Sequence, residues 1–193
     1  MHPETPTRLP TDITALLVKV REGDAAASDE LIPAIYGELH RIASQRLRHD
    51  RPNHTLRPTA LVNEAYLKIF GKTSPQFADR AHFMAFASRI MRGILVDYAR
   101  NRAAVKRGGD ALPVDTEIAV DDSTSLLRLL DLDTALNALD KENHAAAEVI
   151  EMRYFGGMTA EETATVVGRS IHVVQHELRF AHAWLRHTLA HHA

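Results

Sequence analysis

The residues best suited to chemistry stand between Arg80 and Arg107. Arg89, Arg92, Arg100, Arg102, Lys106 and Arg107 occur there with a single acid, Asp97. Cations at that density suit phosphate, and displacing counterions from a nucleic-acid backbone drives such binding. Phe77, His82 and Phe83 stand at the start of the stretch, where unpaired bases could stack on their rings. The core is the commoner place for such a phenylalanine. Two ordinary readings compete for the cations: a solvated helix face, or a helix lying on a membrane surface.

A second group lies between Thr159 and His187. Thr159 is a plausible helix cap, with Glu161 and Glu162 in the first turn, where a helix favours negative charge. Gly168 stops that short helix and Ser170 can cap a longer one, whose Val174, Leu178, Ala181 and Leu185 recur at helical spacing. Two helices joined by a short turn with glycine form the helix-turn-helix pattern, in which the second helix enters the major groove. Ser170, His172, Gln175, His176 and Arg179 are then the candidate base and phosphate contacts. Gln suits adenine, and Glu177 could accept from cytosine. By itself the pattern serves equally for an ordinary helical hairpin.

Catalytic patterns fail one by one. Gly71-Lys72-Thr73 resembles the end of a phosphate-binding loop, but the required first glycine falls on Tyr66 and a helix precedes it. His172 and His176 have the i,i+4 spacing of a metal pair, yet Val173 follows His172 and no third ligand suggests itself. The rest of the 12 histidines are scattered, and with no cysteine there is neither a disulfide nor thiolate chemistry. No metal or cofactor is expected, and no enzymatic activity.

The elements that must position these groups read as helices throughout. Asp12 can cap a helix over Ile13 to Glu22, and Ser28 or Asp29 begins one towards His49. A third covers Thr59 to Phe70. A long fourth covers Asp79 to Lys106, with a stripe of Phe83, Phe86, Ala87, Ile90, Met91, Ile94, Leu95 and Tyr98. Gly108-Gly109, Pro113 and an acid-only stretch (Asp110, Asp115, Glu117, Asp121, Asp122) make a linker. Helices over 126–141 and 143–155 then lead to the hairpin, with Asn143 a cap and Gly156-Gly157 a stop. The expectation is an all-α chain. Residues 1–10 form a disordered tail, 11–107 one small domain, 108–125 a flexible acidic linker and 126–190 a second domain. The net charge of −2 announces no nucleic acid in bulk; its uneven distribution does. No apolar run spans a bilayer, so a cytoplasmic protein without a membrane partner is expected.

The order of these elements resembles the extracytoplasmic-function (ECF) group of bacterial sigma-70 factors. LVNEAYLKIF (61–70) resembles the helix that grips the clamp of core RNA polymerase in that family. FMAFASRIMRGILVDYARNRAAVKR (83–107) resembles the helix that melts and reads the minus-ten promoter element, and residues 138–186 the domain that reads the minus-thirty-five element. The resemblance covers roughly residues 12–190. It implies sigma domains 2 and 4, with core polymerase and promoter DNA as partners. Leu61, Glu64, Tyr66 and Lys68 would meet polymerase. Phe77, His82, Arg89, Arg92, Arg100, Arg102 and Lys106 would serve the minus-ten element, with the helix-turn-helix residues serving the minus-thirty-five element.

The sequence departs from the family twice. Gln175 and Glu177 stand where the family usually has Lys or Arg. Arg57, Pro58, Thr59 and Ala60 stand where it usually carries an acidic cluster. Thr59 is therefore a candidate regulatory phosphosite: a phosphate there would restore negative charge at a helix N-terminus, beside Arg57. That implies a Ser/Thr kinase, the alternative control being an anti-sigma factor. The competing role for Thr59 is a simple helix cap. Two other functions remain open: a conventional helix-turn-helix regulator, and a helical adaptor that binds only proteins.

Overall fold

A computed structural model describes residues 12–47, 57–71, 76–106 and 122–190. The described residues form helices α1 (Ile13–Arg21), α2 (Ala25–Leu47), α3 (Pro58–Phe70), α4 (Arg80–Lys106), α5 (Asp122–Glu142), α6 (His144–Gly156), α7 (Ala160–Val167) and α8 (Ile171–Ala190). No strand occurs among them. Among the described residues no helix is long and apolar enough to cross a membrane. The expected tail, and residues 107–121 of the expected linker, lie outside the described residues.

Helix starts follow from side chains that satisfy the free amides of the first turn. Asp12 accepts from Ala15 N at 3.2 Å, Asn143 from Ala146 N at 3.0 Å and Ser170 from Val173 N at 3.3 Å. Thr159 and Glu162 form a reciprocal capping box. Gly157 and Gly168 end α6 and α7 in the left-handed conformation, with φ of 61° and 63°.

Three boundaries differ from the sequence reading. α2 starts at Ala25, because Asp24 Oδ1 accepts from Ala27 N at 3.2 Å. α5 starts at Asp122, inside the stretch read as linker. α3 starts at Pro58 with Arg57 as its N-cap residue, so Thr59 does not cap it. Proline suits that first position because its missing N–H would have been unbonded there.

The core runs through both halves of the sequence. One cluster of buried side chains holds Leu39, Ile42, Phe83, Met84 and Met91 together with Leu136, Leu139, Ile150 and Phe155. α4 lies at its centre and packs on α1 and α3 as well as on α5, α6 and α7. That double burial explains why one apolar stripe did not describe it. Phe83, Ala87, Met91 and Ile94 are buried as expected, whereas Phe86 is 39% exposed. Met84 and Ser88, outside the stripe, are fully buried. They lie beneath Gly156 of α6. A Cβ added there would stand 3.1 Å from Ser88 Cβ and 3.3 Å from the Met84 carbonyl oxygen.

Candidate nucleic-acid interface

α4 presents its arginines as the charge pattern requires, and acids of the C-terminal helices meet them. Arg92 donates to Asp133 Oδ1 at 2.7 and 3.0 Å, to Glu151 Oε2 at 2.5 Å and to Asn137 Oδ1 at 2.7 Å. Its side chain is 17% exposed. Burial works against its charge, but the hydrogen bonds and fields of Glu151 and Asp133 outweigh that and raise its pKa above the ordinary arginine value. Arg89 donates to Glu148 Oε1 at 2.9 Å, and Arg100 to Asp133 Oδ2 at 3.1 Å. Together these groups line a groove between α4, α5 and α6. Arg102 makes no ion pair among the described residues, and the Lys106 side chain lies outside them.

The start of α4 is braced in the same way. Arg80 bonds Glu38 of α2 and Glu162 of α7 with its two terminal nitrogens, and its amide donates to Thr14 Oγ1 of α1 at 3.2 Å. Burial pushes the Glu38 carboxyl up, but hydrogen bonds from Arg41 and Arg80, with their charges, bring it below the usual glutamate range. Asp79 caps α4 by accepting from His82 N at 2.9 Å, and the His82 ring lies 2.9 Å from the same oxygen. Phe77 packs edge-on against the buried Phe83, with centroids 5.2 Å apart, and lies 5.5 Å from Phe86. Phe83 therefore belongs to the core. Phe86, half open and adjacent to Phe77, is the ring on this surface that helical spacing had assigned to the interior.

The second candidate surface is α8. Val174, Ala181 and Leu185 are buried, which turns His172, Gln175, His176 and Arg179 outward with Ser170 at the helix start. Ile171 and Val173 are also exposed, at 40% and 36%. Glu177 faces the other way: its Oε2 accepts from Asn143 Nδ2 at 3.1 Å. A carboxylate so engaged is a packing group, which removes it from the base contacts that its residue type alone suggests. His172 and His176 are both exposed, and no cluster of potential metal ligands occurs among the described residues.

The third surface is α3. Among the described helices it packs on α2 and α4 alone, which leave its outer side open. Glu64 pairs with Lys68 at 3.2 Å, and Tyr66 packs on Phe70 at 5.0 Å. Leu61 is fully buried, so its side chain supports the helix from beneath instead of meeting a partner. Leu67, 66% exposed, is the leucine on the open side. The signal was available: Leu67 lies three residues beyond Glu64, on the charged side of the helix. Thr59 is exposed in the first turn, which contains no acid.

Residues 10–191 match the family profile described as ECF sigma factor. No curated protein and no solved structure gives a significant match.

Proposed function

The chain belongs to the ECF sigma factor family, and from that premise we propose how its surfaces divide the work of transcription initiation. Membership brings core RNA polymerase and promoter DNA as partners. In our reading the chain acts in the cytoplasm and catalyses nothing itself. The outer side of α3, with Glu64, Tyr66, Lys68 and Leu67, meets the polymerase clamp. The arginines of α4, with Phe77 and His82, serve the minus-ten element. Ser170, His172, Gln175, His176 and Arg179 serve the minus-thirty-five element. The observation that carries this reading is the family match across both helical regions, joined to the outward-facing polar residues of a capped helix-turn-helix.

The two reading surfaces suit a domain division near residues 107–121. Fifteen residues separate α4 from α5, and fully extended they reach at most about 50 Å. Promoter elements two helical turns apart are roughly 70 Å from each other, so the tether and the widths of the two helical regions together can cover the span. The deciding experiment adds the purified chain to core polymerase and asks for promoter-specific transcripts. Tight specific binding to duplex DNA by the chain alone, with no effect on polymerase, would favour a conventional regulator.

Thr59 fits a regulatory role within this reading. Its hydroxyl is exposed at an uncapped helix N-terminus without acids, next to Arg57. A phosphate would add about −1.5 to −2 charges there, where the helix dipole favours them. Thr59→Ala is expected to abolish activity in cells, and Thr59→Glu to retain part of it without a kinase. Full transcription from Thr59→Ala would remove the phosphosite.

A further inference from the structure

We propose that Ile171 reads a base: its side chain packs on the C5-methyl of a thymine in the major groove and so selects one base pair of the minus-thirty-five element. This deepens the assignment of α8 to that element and rests on it. The first turns of a recognition helix are the part that meets base edges. From Ser170 to Leu178 that segment holds no Lys or Arg, and its one acid is Glu177. Two of its polar groups are engaged inside the protein. Ser170 Oγ accepts from Val173 N at 3.3 Å, and Glu177 Oε2 accepts from Asn143 Nδ2 at 3.1 Å. His172, Gln175 and His176 keep polar surface for bases, and beside them Ile171 stands 40% exposed.

Packing does not account for this isoleucine. It belongs to neither buried cluster, whereas Val174 is completely buried. Its exposed neighbour Val173 differs, because it lines a small cavity against α6 and α7 with Val149 and Val167. Helix propensity does not account for Ile171 either, since a β-branched residue is a poorer helix former than alanine. In the major groove the thymine methyl is the apolar feature, and its place tells A·T from T·A as well as from both G·C arrangements. Isoleucine matches that methyl in chemistry. Its χ1 is already restricted on a helix, so little side-chain freedom is lost on contact. Arg169 and Arg179, both exposed, flank the segment and suit phosphates on either side, which position the helix without reading sequence.

The probe is a set of promoter duplexes selected from a randomised upstream element by the unaltered full-length chain on core polymerase. Each thymine of the selected element is then replaced in turn by deoxyuridine, which keeps the pairing and removes only the methyl. At one position the change should weaken promoter binding about fourfold, the size expected for one buried methyl. With Ile171→Ala the thymine and deoxyuridine duplexes should bind alike, and Ile171→Val should keep part of the difference. At the same position 5-methylcytosine should bind the unaltered chain more tightly than cytosine does, and Ile171→Ala equally. Because Ile171 lies outside the buried clusters, its alanine variant should keep the thermal midpoint of the unaltered chain. No effect of deoxyuridine at any thymine, or the same effect in Ile171→Ala, would overturn the methyl contact and leave the sigma-factor reading intact. So would a uniform weakening of Ile171→Ala on every duplex, which marks a structural role. Selection that enriches no sequence, with no promoter-specific transcripts from the unaltered chain, would instead remove the functional reading, and this inference with it.

Discussion

Arg80 joins three other helices through one residue: α1 by its amide, α2 and α7 by its guanidinium. Its charge was legible as part of a basic stretch. Its partners, 42 and 82 residues away, were not, because nothing local in a sequence encodes which distant carboxylate a guanidinium will meet. Burying such a cluster is worthwhile only while every member stays charged. Glu38 carries the measurable consequence. Its folded pKa lies below the ordinary value of 4.5. Its contribution to stability is therefore complete above that ordinary value and is lost as pH falls through the depressed one. The thermal midpoint of the unaltered chain should drop through this acid window. Glu38→Gln should start lower at neutral pH and fall less steeply, and parallel curves for the two proteins would show that Glu38 is not held in its charged form.

At the scale of elements, capping chemistry made most boundaries readable. Asp12, Asn143, Thr159 and Ser170 each accept from an amide three residues on, and Gly157 and Gly168 take the left-handed stop. The failures have a common physical source. α3 is entered through Arg57 and Pro58, which cap without a side-chain hydrogen bond. α4 was read as a one-sided helix, but it is buried on two sides, so Phe86 and Met84 exchanged the environments that helical spacing gave them. Periodicity identifies a face that is apolar, and cannot register a second face built from Ser88, glycine contacts and ion pairs. Asn143 shows how one cap can serve two elements, since it starts α6 and also donates to Glu177 of α8. Asn143→Ala is expected to cost about 1 kcal/mol or more for the cap alone. Asn143→Ser should recover most of it by keeping an acceptor, leaving the smaller loss of the Glu177 bond. Chemical denaturation of the two variants separates the terms, and equal losses would mean that the cap contributes little.

For the molecule as a whole, composition and element order were sufficient to expect an all-α chain, and the resemblance to its family could be seen in the spacing of three helical motifs. What could not be seen was how the two halves pack against each other. It depends on complementary charges far apart in sequence and on one close approach. That approach is where Gly156 crosses Ser88 and Met84. In effect glycine acts there as a feeler gauge, fitting a gap that one more carbon would overfill by a few tenths of an ångström. Ser88 is fully buried with its hydroxyl donating to Ala85 O at 2.8 Å, and the Met84 carbonyl belongs to the body of α4. Neither yields easily, so Gly156→Ala is relieved most cheaply by moving α6 off α4. Even a few tenths of an ångström weakens the attraction between facing atoms across the whole contact. The same shift lengthens the bonds from Glu151, on the same helix, to Arg92. One methyl group, neutral and outside every ion pair, should thus lower the thermal midpoint of the chain and speed hydrogen exchange at the amides of α6. If ion pairs alone held α6 on α4, neither measurement would change. The residue with no side chain becomes the most direct mechanical handle on how tightly the two halves pack.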